Sequence, residues 1–248
     1  MNTQNKIFLN YDKRMKENSC SSADFEKKNG FLRNVFYENY RPFCPPPNGH
    51  IDVLEIGCNK GFICNALKEY YTSGNVVGID LSPNDIAFAK EHFPGIDFFC
   101  KNAFDILGNN QFDLIIAKDI MEHIAKDKQE EFVAKLHRAL KENGVCIIQV
   151  PNMDWIFSNH ERYMDFTHEI GYTRESFEDI FRLYFDSNVK VLPSSYVWPH
   201  KLKLSKRILF KYIRPIVLWG CKVIYKFIGE GASDVWFYHR EIMAVARK

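Results

Sequence analysis

Five short apolar runs, at residues 51–56, 75–80, 96–100, 112–117 and 145–150, punctuate a chain whose intervening stretches carry apolar positions at helical spacing. Apolar runs of that length without polar alternation suit strands covered on both faces, so the alternation predicts a parallel α/β sheet with helices on either side. Ser82-Pro83-Asn84-Asp85 supplies one helix with a capping hydroxyl, a proline at its first position and an early acid. Before Gly144, the residues Phe132, Val133, Leu136, Ala139 and Leu140 form one apolar stripe and predict a helix running through Leu140. After Pro151 the pattern reads loop, helix (175–184), strand (188–192), a long basic segment, and a last strand at 242–246.

Ahead of the first strand, apolar residues at 31, 32, 35 and 36 predict a helix, and Pro45-Pro46-Pro47 closes it off as a stiff connector. The expected organisation is a single domain. Residues 1–48 form an N-terminal helical cap beside the ligand mouth, 49–192 and 236–248 the core, and 193–235 a basic helical insertion serving as a lid.

The first strand runs into a glycine-rich turn, V-L-E-I-G-C-N-K-G, and the second ends in an acid, Asp80. Gly57 and Gly61 let the turn tighten and let a ligand lie against the main chain at a helix N-terminus, while Asp80 can accept hydrogen bonds from both ribose hydroxyls. This is a nucleoside-binding βαβ unit. A dinucleotide fingerprint wants glycine where Gly57, Asn59 and Phe62 stand, and two of the three differ, which disfavours nicotinamide and flavin cofactors.

E-I-G-C-N-K-G with Asp80 resembles the first two motifs of the class I S-adenosylmethionine-dependent methyltransferases, departing at Asn59, a residue type that tolerates left-handed angles. I-D-F-F-C-K-N-A-F and Q-F-D-L-I-I-A-K-D-I-M-E-H-I follow in that family's order, so the resemblance spans residues 51 to about 151. It implies a Rossmann-like seven-stranded methyltransferase sheet with helices on both faces. The cofactor would be S-adenosylmethionine, with S-adenosylhomocysteine as product. The resemblance places its contacts at Glu55, Gly57, Asn59, Gly61, Asp80, Leu81, Asn102, Ala103, Phe104, Lys118 and Asp119, with Asn102 and the Ala103 amide reading the adenine edge. In the resembled fold a hairpin joins strands six and seven; here the segment between them is far too long for one, hence the insertion.

The acceptor side must come from the loops after strands four and five, since ligands lie over the carboxyl ends of such sheets. One of those loops packs His160, Glu161, Arg162, Tyr163, Asp165, Thr167 and His168 together. For a hydroxyl acceptor His168 is the first candidate base, with loop bracing as its other reading. His123 beside Glu122, together with Tyr163 and Asp165, completes the candidate catalytic set, and Arg162 gains weight if the acceptor is a phosphoryl-type anion. Asp119, Glu122 and His123 without a further recognisable ligand set lead to the expectation of no metal.

R-Y-M-D-F-T-H-E-I-G-Y-T also resembles a segment of bacterial methyltransferases of surface-polysaccharide biosynthesis. That resemblance implies a capsule or polysaccharide precursor as acceptor, through a sugar hydroxyl or a nucleotide-activated phosphoramidate. The alternatives are a small-molecule N- or O-methyltransferase of quinone or secondary metabolism, and a non-catalytic cofactor-binding module.

At 248 residues and 46% hydrophobic content the chain can bury a full core, and a net charge of +2 decides little. Its seven cysteines include no C-x-x-C pair and several sit in apolar runs, which fits reduced thiols. With no apolar leader or membrane span, the expected location is cytoplasmic. The charge is uneven. Between Lys201 and Ile228 stand eight Lys or Arg and no acid, interleaved with apolar residues. The favoured reading is an amphipathic helix pair packed on the domain or on a second subunit. An anionic membrane surface, reached peripherally through 201–228, or a wall facing a phosphorylated substrate are the other readings. With basic residues confined there and no binding module, nucleic acid is not expected.

Overall fold

The computed structural model describes residues 22–195, 204–228 and 239–248. Five parallel strands, β1 (Asp52–Ile56), β2 (Asn75–Asp80), β3 (Asp97–Cys100), β4 (Phe112–Lys118) and β5 (Leu140–Pro151), are joined by β6 (Val189–Pro193) and β7 (Glu241–Arg247) in the order β3-β2-β1-β4-β5-β7-β6. β7 runs antiparallel to both its neighbours. The order reverses between β1 and β4, and the turn after β1 faces the opening that such a reversal creates.

Each face of the sheet has its own core. On one, helices α2 (Phe62–Tyr70) and α3 (Pro83–His92) bury Phe62, Leu67, Ile86 and Ala89 together with Val35, Phe36 and Tyr40 from the N-terminal segment. On the other, α5 (Gln129–Ala139) and α7 (Arg174–Phe185) contribute Phe132, Val133 and Leu136, and Phe177, Phe181 and Phe185 at i, i+4, i+8 spacing. An N-terminal helix is present as α1 (Ser22–Val35), with short turns after it, and it packs on the helix layer of this face: Phe25 meets the Phe62 ring at 5.3 Å.

Local signals behave as their chemistry dictates. The Ser82 hydroxyl accepts from the Asp85 amide at 3.1 Å at the start of α3. The stripe before Gly144 ends one residue early, because Leu140 is already extended and pairs with Phe112 across the sheet, so β5 begins there rather than at 145. The described cysteines, Cys44, Cys58, Cys64, Cys100, Cys146 and Cys221, are unbridged.

The segment between β6 and β7 holds two helices, α8 (Leu204–Ile208) and α9 (Arg214–Ile228), linked by a wider turn at Leu209–Ile213. Their side chains stand outward: Ile216 is 66% exposed, Trp219 67% and Phe227 88%. The expectation that this segment's apolar side packs on its own domain is therefore corrected, since large apolar groups face outward along its described length. Residues 196–203 and 229–238 of the insertion lie outside the described residues, as does the beginning of the cap. No described helix is long and apolar enough to cross a membrane.

Candidate active site

The turn after β1 has the left-handed backbone that its sequence implies, with φ of 72° at Gly57, 47° at Asn59 and 79° at Gly61. Glycine is needed at the first and third positions for space as well as angle. A Cβ at Gly57 would come within 2.1 Å of Ile120 Cδ1, and one at Gly61 within 2.8 Å of Phe98 Cζ. Asn59 accepts the angle and uses its side chain as a latch, donating from Nδ2 to Asp85 at 2.9 Å. The Asn59 amide donates to Asp80 Oδ2 and the Ser82 amide to Asp80 Oδ1, both at 2.8 Å, so Asp80 clamps two loops over the strand tips. An ionised carboxylate at this strand tip is the kind of acceptor that ribose hydroxyls donate to.

Beyond Asp80, Leu81 is 49% exposed at the strand tip, an apolar side chain available to an adenine. Asn102 caps the short helix α4 (Ala103–Ile106) by accepting from the Phe104 amide at 3.0 Å, which fixes its side chain next to Ala103. Glu55 is buried on β1 and accepts from the Cys64 thiol at 2.8 Å; burial pushes its carboxyl up to about 8. These groups fit a nucleoside: an anion at the ribose position, an exposed apolar side chain beside it and a turn whose glycines leave room for the ligand.

Lys118 is engaged on the other side of the strand tips. It pairs with Asp119 and reaches Glu241 at 3.4 Å, and although burial works against its charge, these two acids raise its pKa. Asp119 itself adopts a left-handed φ of 55° and turns the chain into the segment 120–124. That segment is braced from below, where Gln129 Nε2 donates to the Met121 and Ile124 carbonyls at 2.8 and 2.6 Å and the Tyr172 hydroxyl donates to Gln129.

The acceptor side is a crevice of about 230 Å³ lined by Asp119, Glu122, His123, Glu161, Asp165, His168, Arg240 and Glu241, among others. Three of the five candidate catalytic residues, His123, Asp165 and His168, meet in it. The rings of His123 and His168 stand edge to face, 4.7 Å apart. His123 Nδ1 lies 2.8 Å from the Thr167 hydroxyl, which itself donates to Asp165 at 2.7 Å. Burial, with His168 alongside, holds His123 below the usual imidazole range. Glu122 is 2% exposed, and neither of its carboxylate oxygens has a hydrogen-bond partner; burial, reinforced by nearby Asp119, pushes its carboxyl well above the ordinary range.

Arg162 and Tyr163, the last two residues of α6 (Ser158–Tyr163), are not among the residues lining this crevice. The Arg162 guanidinium donates to the carbonyls of His168 and Glu169 at 2.5 and 3.0 Å, bracing the loop from behind, and Tyr163 is 76% exposed with Arg162 over its ring. Sequence reasoning missed Gln149, fully buried on β5, whose Oε1 accepts from Tyr40 at 2.8 Å and from Ser194 at 3.0 Å while Nε2 donates to Glu241 at 2.6 Å. A polar residue in an apolar strand was the only hint. It also missed Arg240, which donates to Glu161 at 2.9 Å and closes the crevice wall. A larger depression of about 440 Å³ lies at the amino ends of the strands, lined by Asp52, Asn75 and Asp97, away from these groups.

Residues 53–144 match the family model described as a methyltransferase domain. The ubiquinone biosynthesis O-methyltransferase of Bradyrhizobium diazoefficiens is 31% identical over 111 residues, 43% of this chain and 42% of that protein. The mitochondrial enzyme of the same description from Saccharomyces cerevisiae is 28% identical over 156 residues, 60% of this chain and 46% of that protein. The chain thus aligns with less than half the length of these curated relatives. Among solved structures, a SAM-dependent methyltransferase from Archaeoglobus fulgidus superposes with a TM-score of 0.65 at 16% identity, covering 90% of this chain and 98% of its own. The plantazolicin methyltransferase BpumL in complex with SAH gives 0.56 at 17% identity, covering 98% and 89%. Sheet order, glycine turn, strand-tip acid and family match converge: residues 53–144 match a methyltransferase domain, set in a seven-stranded sheet with the fold of the S-adenosylmethionine-dependent methyltransferases.

Proposed function

We propose that the protein transfers the methyl group of S-adenosylmethionine to a hydroxyl oxygen of a small acceptor bound in the crevice beyond Asp119. The observation that carries this is the chemistry of that crevice: it is lined by Asp119, Glu122, Glu161, Asp165 and Glu241, with Arg240 paired to Glu161. Lys118 is held by Asp119 and Glu241, and Arg162 by backbone carbonyls. Among the described residues, a phosphoryl-type anion would meet a lining dominated by carboxylates, with each guanidinium already engaged by a carboxylate or by backbone carbonyls, whereas a hydroxyl can donate to an ionised carboxylate there.

When bound, the cofactor supplies a methyl carbon already activated by its sulfonium. The protein's share is mainly orientation, which can contribute about 7–11 kcal/mol, against roughly 3–5 kcal/mol for a positioned base. Asp80 and the Gly57–Gly61 turn hold the nucleoside end. On the acceptor side, His123, His168 and Asp165 can receive the hydroxyl proton or hold the oxygen that loses it.

For the acceptor itself, the aligned relatives act in ubiquinone biosynthesis, which supports a quinone-type precursor. The likeness of residues 162–173 to a surface-polysaccharide methyltransferase segment supports a sugar hydroxyl as the second reading. S-adenosylhomocysteine release should be measured with phenolic quinone precursors, nucleotide-activated sugars and a phosphoramidate. Turnover with a hydroxyl acceptor alone supports the proposal; turnover confined to the phosphoramidate, or cofactor binding with no turnover on any acceptor, counts against it.

A further inference from the structure

We propose that Glu122, His123 and His168 bind a divalent transition-metal cation on the acceptor side of the crevice. One ligand atom from each of the three lies within 4.8 Å of the others, although His168 comes from a separate segment of the chain. Glu122 supplies an independent pointer. Its carboxylate is nearly inaccessible, lines the crevice, and has no donor on either oxygen, an arrangement that a cation would complete.

The surroundings are those of a ligating histidine. Because the Thr167 hydroxyl gives its proton to Asp165, it accepts from His123 Nδ1–H, which makes Nε2 the lone-pair nitrogen of that ring. An outer carboxylate that fixes tautomer and ring orientation in this way is the usual support of a metal-bound imidazole. His168 is anchored to its partner ligand, since the Glu169 amide donates to the Glu122 carbonyl at 2.8 Å. Bonds of about 2.1 Å would draw the three ligand atoms closer than they now stand, a change within reach of side-chain rotation.

Two imidazoles and one carboxylate suit Mn²⁺, Fe²⁺, Co²⁺ or Zn²⁺ and leave coordination positions open toward the crevice. Resting on the hydroxyl-acceptor reading above, an open position would take the acceptor oxygen and make it more acidic. With the lone-pair nitrogens of both histidines then on the cation, the O–H bond breaks and its proton goes to water rather than to an imidazole; the oxygen then bonds to the methyl carbon while the C–S bond breaks and leaves its electron pair on sulphur.

The test uses the full, untagged chain, stripped with a chelator, in the absence of acceptor. Titration with Co²⁺, followed by visible absorption, and with Mn²⁺, followed by electron paramagnetic resonance, should each show one saturable site. Glu122→Gln and His168→Ala should each weaken it by about tenfold or more, the scale on which site mutations act. His168→Ala should keep its affinity for S-adenosylmethionine by calorimetry, which separates a lost ligand from a lost fold. No saturable site at millimolar cation, or equal binding by the parent and both variants, overturns the inference. Cation binding without turnover on any hydroxyl would refute the proposed function alone; turnover unaffected by chelator, with no site, would refute this inference alone.

Discussion

The backbone amide of Asn59 donates to the Asp80 carboxylate at 2.8 Å, tying the glycine turn after β1 to the tip of β2. The acid that is placed to hold a ribose thus also sets the turn that the rest of the cofactor lies against. Asp80→Ala should weaken cofactor binding by one to two orders of magnitude, as expected for charge-assisted hydrogen bonds of about 1.5–3 kcal/mol. Calorimetry with S-adenosylmethionine checks this, and an unchanged dissociation constant would remove Asp80 from the site.

Asn59 stands where a third glycine would be usual, and its latch to Asp85 suggests what the exchange achieves. Asn59→Gly should keep the left-handed turn and cost at most a few-fold in affinity. Asn59→Val should cost more than Asn59→Gly, since a β-branched residue resists a φ of 47°. Equal affinities for the two variants would mean that the turn tolerates either backbone preference.

His168 lines the acceptor crevice and lies across the chain from the residues that clamp the nucleoside end. His168→Ala should therefore lower kcat by about tenfold or more while leaving the cofactor dissociation constant nearly unchanged, within the range that acid–base or orienting groups supply. Arg162→Ala should also lower turnover, because the guanidinium holds the His168 and Glu169 carbonyls, but its KM should not depend on whether the acceptor carries a negative charge. A KM rise restricted to anionic acceptors would return Arg162 to substrate recognition.

The sheet, its helices and the nucleoside end were legible because they are written in local chemistry: apolar runs of strand length, a Ser-Pro cap, and glycines where a backbone turns left-handed. The acceptor side was legible only in part. His123, Asp165 and His168 could be named as titratable groups in two loops, but that His168 comes to lie beside Glu122 depends on how the 165–170 loop folds back onto residues 121–123. The expectation of no metal rested on the absence of that neighbour from any local spacing. Gln149, Tyr40 and Glu241 meet only because β7 returns antiparallel beside β5, a long-range pairing that no window of sequence contains. Arg162 was weighed by its charge, whereas two of its donors go to backbone carbonyls, which sequence cannot display.

Glu55 gives the fold a pH dependence whose sign follows from its burial. Its carboxyl sits at about 8 in the folded chain against 4.5 when exposed, so across that window the folded state holds a proton that the unfolded state has released. The stability linked to Glu55 is full below the lower value, declines as pH rises, and is lost once pH passes the upper one, with a slope of at most about 1.4 kcal/mol per pH unit. Glu55→Gln keeps the shape and an acceptor for the Cys64 thiol but carries no ionisable proton. The melting temperature of the parent should fall between pH 5 and 8 more steeply than that of Glu55→Gln, and the two curves should separate most at the alkaline end. Parallel melting curves across that range would mean that Glu55 is ionised in the folded chain at neutral pH and that its burial is compensated by a partner other than Cys64.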